Sequence, residues 1–175
     1  MGSEICIRDS YDALTAKIAA EVGFDALVMG GYSIAASRLG QPDVGYLSMT
    51  EMVQAVKCIV DATELPVFAD GDTGYGNALS VRRTMQEYEK AGAAAVLFED
   101  QVWPKRCGHM VGKQVIDASE HAKKLRAAAD ARTDEDFLLI ARTDARAVNG
   151  LEDAVERGKL YLDTVSYTHL TLPTT

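Results

Sequence analysis

Pro66-Val67-Phe68-Ala69-Asp70-Gly71-Asp72-Thr73-Gly74-Tyr75-Gly76-Asn77 is an apolar run that ends in two carboxylates and passes into a glycine-rich turn. One helix-length later, Ala94-Ala95-Val96-Leu97-Phe98-Glu99-Asp100-Gln101 repeats the arrangement, an unbroken apolar run closed by acid. Short runs that are apolar throughout, rather than at alternate positions, belong to strands of a parallel sheet covered on both faces. A parallel pair needs a crossover between its strands. Residues 78–90 have the helical pattern for it, with Leu79, Val81 and Met85 expected to pack and Gly92 to end the turn.

The same alternation extends outward. Residues 5–7 are a short strand candidate, and from Ser10 a helical pattern places Leu14, Ile18 and Val22 four apart, with Gly23 as its stop. Residues 25–29 form a second apolar run that enters Gly30-Gly31-Tyr32, where glycine lets backbone come close to a ligand. Turn residues at Gly40-Gln41-Pro42-Asp43 and Gly45 mark 33–47 as a connection, and Ser48-Met49-Thr50-Glu51 offers a capping box to a helix carrying Met52, Val56 and Ile59. Beyond Gln101 a polar loop runs to Lys113. Asp117 with Glu120 opens a helix to about residue 131, residues 137–141 are a strand ending in Arg142-Thr143-Asp144, and 151–162 are helical again.

Gly30 and Gly31, Asp70 and Asp72, Glu99, and Arg142 thus each follow a different strand. Collecting polar residues at the C-terminal ends of parallel strands is how a (β/α)8 barrel builds its active site. A doubly wound open sheet puts ligands at strand ends too, and stands as the alternative. About five β/α units are present where a complete barrel has eight, so the expected fold is α/β, a partial TIM barrel truncated on its C-terminal side, in one domain over 1–163. Residues 164–175 are rich in hydroxyls and lack Lys, Arg, Asp and Glu. Residues 165–172 could be read as a sixth strand by propensity; the expectation taken is a break near Asp163 followed by a non-native or disordered tail.

With 47% hydrophobic and 25% charged residues in 175, the chain has the composition of a folded domain with a core. Its net charge of -8 argues against nucleic acid or an anionic membrane as a partner. No apolar run reaches the roughly 20 residues of a membrane span, and a cytoplasmic protein is expected. The three widely spaced cysteines form neither a disulfide framework nor a zinc pattern. Cys6 and Cys58 read as small buried hydrophobes.

The chemistry rests on a few side chains. Asp70, Asp72 and Glu99 are oxygen donors suited to a hard cation such as Mg2+, with Mn2+ as the alternative, while the competing reading makes the Asp pair turn carboxylates before a helix. An EF-hand is excluded because its sixth and twelfth positions would be Tyr75 and Val81. Neither a phosphate loop nor the dinucleotide glycine spacing is present. Cys107, between Lys105-Arg106 and His109, is a candidate proton donor or nucleophile if that positive field lowers its thiol pKa, and otherwise an inert loop thiol. Arg142 suits a carboxylate ligand or a structural pair with Asp144. His121, beside Lys123 and Lys124, is expected on a solvated face.

Taken together, Tyr11-Asp12-Ala13-Leu14, Leu39-Gly40-Gln41-Pro42-Asp43, Asp72-Thr73-Gly74-Tyr75-Gly76, Glu99-Asp100-Gln101, Lys105-Arg106-Cys107-Gly108-His109 and Ala141-Arg142-Thr143-Asp144-Ala145 resemble the isocitrate lyase and phosphoenolpyruvate mutase superfamily over about 11–163. The Lys-Arg-Cys-Gly-His stretch resembles its carbon–carbon lyases, which act on isocitrate, 2-methylisocitrate and 2,3-dimethylmalate. The resemblance implies a Mg2+-dependent lyase that cleaves a small 2-hydroxy di- or tricarboxylate into a 2-oxo acid and a second carboxylate. Asp70, Asp72 and Glu99 would serve the metal, Gly30, Gly31, Tyr32, Asp43, Gly108 and Arg142 the substrate, and Cys107 the proton, on a gating loop. It also implies a homotetramer. Two alternatives remain, an oxaloacetate decarboxylase or phosphoenolpyruvate/phosphonopyruvate-handling relative, and a catalytically inactive fragment with open sheet edges. Gly71 stands where the family usually has Ala, and is expected to loosen the turn.

Overall fold

In the computed structural model, which describes residues 6–108, 110–165 and the backbone of 168–171, six strands form one sheet in the order β1-β2-β3-β4-β5-β6. They are β1 Ile7–Asp9, β2 Ala26–Met29, β3 Val67–Asp70, β4 Ala95–Glu99, β5 Leu138–Arg142 and β6 Thr168–Thr171, and every pairing is parallel. Between them run α1 Ala13–Val22, α2 Gly31–Leu39, α3 Met49–Val60, α4 Ala78–Lys90, α5 Ala118–Ala129, α6 Ala145–Val148 and α7 Leu151–Thr164.

Spatial order that follows chain order without reversal is the winding of a (β/α)8 barrel; a doubly wound sheet reverses at a switch point. Helix packing agrees, since α1 meets α3, α3 meets α4, α4 meets α5, and α5 meets α7. Among the described residues the sheet is not closed: β1 pairs with β2 alone and β6 with β5 alone. Helices therefore cover one face, where Leu27, Met29, Val67, Ala69, Val96, Phe98, Leu139 and Ala141 are buried. On the other face Val28, Phe68, Leu97 and Ile140 are exposed or half-buried, which corrects the expectation of a sheet covered on both sides. Among the described residues no helix is long and apolar enough to cross a membrane.

Local signals account for most boundaries. Ser48 and Glu51 form the capping box of α3, Asn77 accepts from the N–H groups of Leu79 and Ser80 to start α4, and Asp117 accepts from Ser119 to start α5. α2 was not expected: the stretch 33–47 read as turn, yet Gly31–Leu39 is helical and Gly40, at φ 61°, ends it. α7 continues through Thr164, past the boundary drawn at 163, and β6 joins the sheet at 168–171. Residues 166, 167 and 172–175 lie outside the described residues.

Four burial expectations are corrected. The α1 stripe of Leu14, Ile18 and Val22 faces outward, and Ala16 and Ala19 pack inward in its place. β1, which α1 follows, is an edge strand, and among the described residues no neighbouring unit covers that side. Leu79, in the first turn of α4, is exposed, whereas Val81 and Met85 are buried. Cys6 and Cys58 are exposed, because Cys6 precedes an edge strand and α3 turns Met52, Ala55, Val56 and Ile59 to the core instead.

His121 is the fourth correction. It is fully buried, its ring edge-on to Tyr161 with centroids 4.9 Å apart, and both ring nitrogens lack a hydrogen-bond partner among the described residues. Burial first, and then the charges of Lys124 and Arg157, push its pKa down to about 3. The unfolded chain binds that proton near pH 6.5, so this group's contribution to stability is complete above pH 6.5 and is lost as pH falls. Between pH 7 and pH 5 that loss is about 2 kcal/mol. Urea denaturation at the two pH values should show an acid-induced loss smaller by about this amount in His121→Leu than in the parent; equal losses would contradict this account.

Candidate active site

The site begins where β3 ends. Asp70 Oδ1 accepts the backbone N–H of Asp72 at 2.9 Å, and Oδ2 accepts that of Gly31 at 3.0 Å, at the positive N-terminal end of α2. The turn beyond is strained: Asp72 and Tyr75 have φ of 49° and 58°, a left-handed region that side chains other than glycine's rarely occupy. Tyr75 also donates its hydroxyl to Asp72 Oδ2 at 2.9 Å. Tyr88, buried behind the turn, donates to the carbonyl of Asp70.

Lys105 reaches into this group from the loop after β4. Its ammonium donates to Asp43 Oδ2 and lies 2.7 Å from Asp72 Oδ1, close enough for charge pairing but off-line as a hydrogen bond. A Cβ on Gly31 would stand 3.1 Å from Asp70 Oδ2 and 3.3 Å from both Asp43 Oδ2 and Lys105 Nζ. Only glycine lets three charged groups converge over that backbone. Lys105 is buried, and burial works against its charge; Asp70, Asp72, Glu99 and Asp43 outweigh this and hold its pKa well above the ordinary lysine value.

Glu99 and Arg142 face each other in the β4–β5 register. Arg142 Nη1 lies 3.4 Å from Glu99 Oε2, and Nη2 lies 3.2 Å from Asp144 Oδ1. Gly108 packs against the same guanidinium, so that a Cβ there would come within 2.9 Å of Nη2. The structural pair that competed with carboxylate binding as the reading of Arg142 is therefore present, and Glu99 takes part in it as well.

Negative charge is in excess here. Asp43, Asp70, Asp72 and Glu99 are opposed by Lys105 and Arg142, and Asp72 Oδ1 and Glu99 Oε1 are buried without a hydrogen-bond donor among the described residues. Burial, with repulsion from Asp70, pushes Asp72 up to about pKa 7; burial also raises Glu99 well above the usual carboxylate range, against the pull of Arg142. Among the described residues no group of three or more His, Cys, Asp or Glu is arranged to hold a metal ion. Asp70 is occupied by backbone donors, Asp72 by Lys105 and Tyr75, and Glu99 by Arg142. Glu99 Oε1, which has no donor, and the surplus of carboxylates nevertheless suit a divalent cation.

Other expected residues fall differently. Gly30 gives its N–H to Asp9 Oδ1 at 3.2 Å. Tyr32 is 61% exposed, and no hydrogen bond joins its phenol to the cluster. Cys107 is half-buried. Its expected cationic surroundings are altered, since Lys105 is committed to Asp43 and Asp72 and Arg106 donates to the carbonyl of Val111; His109 lies outside the described residues. Gly71 does not loosen its turn. A Cβ there would lie 2.5 Å from Phe98 Cε1 and 2.8 Å from Val96 Cγ2, so larger neighbours fill the space. A groove of about 570 Å3 nearby is lined by Thr73, Tyr75, Gln101 and Trp103 among others, but by none of the charged residues of the cluster.

Sequence reasoning gave Lys105 no role beyond flanking Cys107, gave Asp144 none beyond a structural pair with Arg142, and quoted Asp100, Gln101 and Thr143 without assigning them one. For Asp100, Gln101, Thr143 and Asp144 the signal was position, since each lies within two residues of a strand end. The sequence model of phosphoenolpyruvate phosphomutase matches residues 2–164. The chain belongs to that family. The 2,3-dimethylmalate lyase of Eubacterium barkeri is 54% identical over 152 residues, which are 87% of this chain and 53% of that protein. A crystal structure of 2,3-dimethylmalate lyase, described as a PEP mutase/isocitrate lyase superfamily member, superimposes with a TM-score of 0.91 at 38% identity, over 98% of this chain and 59% of that one. A phosphonopyruvate hydrolase in complex with oxalate and Mg2+ superimposes with a TM-score of 0.86 at 32% identity, over 97% and 59%. The chain spans about half the length of the curated relatives it matches.

Removing the one ammonium inside the carboxylate group leaves buried charges unpaired, typically at a cost of about 3–5 kcal/mol. Lys105→Met should lower the free energy of unfolding by about that amount near neutral pH. Urea denaturation followed by circular dichroism measures it, and an unchanged midpoint would mean that the ammonium does not balance the cluster.

Proposed function

We propose that this chain carries the metal-binding and proton-donating half of a carbon–carbon lyase that cleaves a 2-hydroxy di- or tricarboxylate. The observation that carries the reading is the contact of Gly108 with the Arg142 guanidinium, which brings the residue after Cys107 against a cation able to bind a carboxylate. The similarity to 2,3-dimethylmalate lyase supports the reaction class.

In this reading Asp70 and Asp72 would hold a Mg2+ ion, with Glu99 serving it as well. A bound divalent cation supplies Lewis-acid polarisation of the substrate oxygens. Arg142 clamps a substrate carboxylate, and the backbone at Gly30 and Gly31 lies against the 2-oxo acid portion beside Asp43. The hydroxyl proton passes to a base, water in the site, and the C–O bond becomes a carbonyl as the bond from that carbon to its neighbour breaks. The electron pair passes to the neighbour as a carboxylate-stabilised carbanion. Cys107 gives its thiol proton to that carbon, and the loop excludes the water that would otherwise do so.

Assayed with Mg2+ on 2,3-dimethylmalate, 2-methylisocitrate and isocitrate, the protein should release a 2-oxo acid from at least one, and chelation should abolish release. Cys107→Ser should lower kcat by about 100-fold or more, with Mg2+ binding unchanged by titration calorimetry. Full turnover in that variant, or product from oxaloacetate or phosphonopyruvate in place of the hydroxy acids, would reject the reading.

A further inference from the structure

Asp144 is wholly buried just after β5, and three side chains donate to it. Gln101 Nε2 donates to Oδ2 at 3.1 Å, while Lys113 Nζ and Arg142 Nη2 donate to Oδ1 at 3.0 and 3.2 Å. Two of these donors belong to the loop that carries Cys107, one at its base and one at its far end. Gln101 also grips the loop directly: its Nε2 donates to the carbonyl of Arg106, and its Oε1 accepts the N–H of Arg106, both at 3.0 Å. Lys113 donates a second bond, to the carbonyl of Gly108 at 2.8 Å. The backbone on either side of Cys107 is thus held by two side chains that both end on one carboxylate.

That carboxylate rests on a rigid support. Asp100 accepts the backbone N–H of Asp144 at 3.0 Å and the hydroxyl of Thr143 at 2.7 Å, and is itself fixed by Tyr161 at 2.9 Å and Arg157 at 3.2 Å. A buried carboxylate is tolerated only while its donors stay in place. If the loop swings away, Asp144 loses Lys113, so that Arg142 is left as the one side-chain donor to Oδ1 while Gln101 stays on Oδ2. Loop position and Arg142 orientation are therefore linked through a single group.

We infer that Asp144 is a positioning residue, a buried latch that holds the loop residues 105–108 and 110–113, and with them Cys107, over Arg142. Only the consequence for turnover rests on the lyase reading; the latch itself does not.

The test uses Lys113→Met, which removes the loop's arm of the latch, and Asp144→Asn, which removes its centre. Met110 and Val111, the latter 87% exposed, offer thermolysin a cleavage site within the loop. Circular dichroism first establishes that each variant is folded. Folded Lys113→Met should be cut in the loop more than threefold faster than the parent, with a shift in the emission of Trp103, the single tryptophan, which lies between Gln101 and Lys105. The double variant should be cut no faster than Asp144→Asn alone. Where the parent turns over, Lys113→Met should lower kcat with little change in KM, whereas Asp144→Asn should also raise KM through Arg142. A cleavage rate within threefold of the parent in folded Lys113→Met would overturn the latch whatever the activity. Should Asp144→Asn fail to fold, Lys113→Met alone decides.

Discussion

The ammonium of Lys105 among Asp43, Asp70 and Asp72 is the interaction around which the site is built. Charges removed from water are costly unless their partners are close and well placed, and this lysine carries much of that burden for a group drawn from three separate segments. Asp43 comes from the connection before α3, Asp70 and Asp72 from the end of β3, and Lys105 from the loop after β4. The positive charge fastens that loop to the turn beside it. Because four carboxylates face two cations and Glu99 Oε1 has no donor among the described residues, the neutralisation is incomplete, and the remaining demand for positive charge gives the metal reading its physical basis.

Barrel winding makes this convergence possible. In a parallel sheet whose spatial order follows chain order, the loops after β2, β3, β4 and β5 all rise from one edge, and neighbouring strand ends are separated by only about 5 Å. Glu99 and Arg142 meet because their strands are in register. The sheet is nonetheless open at β1 and β6, leaving its inner face partly uncovered and the apolar stripe of α1 turned outward. Burial of the helix-covered face, with Tyr88, Met85, Leu125 and Tyr161 wholly enclosed, holds the arrangement without closure.

A second polar network lies behind the first and differs in kind. Asp100 is satisfied on both oxygens by Asp144, Thr143, Tyr161 and Arg157, so it is spent on structure. Asp144 stands between the two, with its backbone tied to that network and its carboxylate tied to the loop and to Arg142. The site thus has a rigid rear and a front held by long side chains, Lys105 and Lys113, whose release costs fewer packed contacts than moving a strand.

Sequence alone determined the alternation of strands and helices, the parallel sheet, the strand-end placement of Asp70, Asp72, Glu99 and Arg142, and the caps at Ser48 and Asp117. All follow from periodicity and near-neighbour hydrogen bonds, which are local properties of a chain. Tertiary structure decided what the local pattern could not express. His121 is dry because α7 lays Tyr161 against it, although its helix neighbours include lysines. The α1 stripe is wet because, among the described residues, no strand lies beyond β1. Lys105 leaves Cys107 for Asp43, a residue 62 positions away in the chain. Such outcomes depend on which distant groups share a low-dielectric space, and spacing along the chain carries no measure of that.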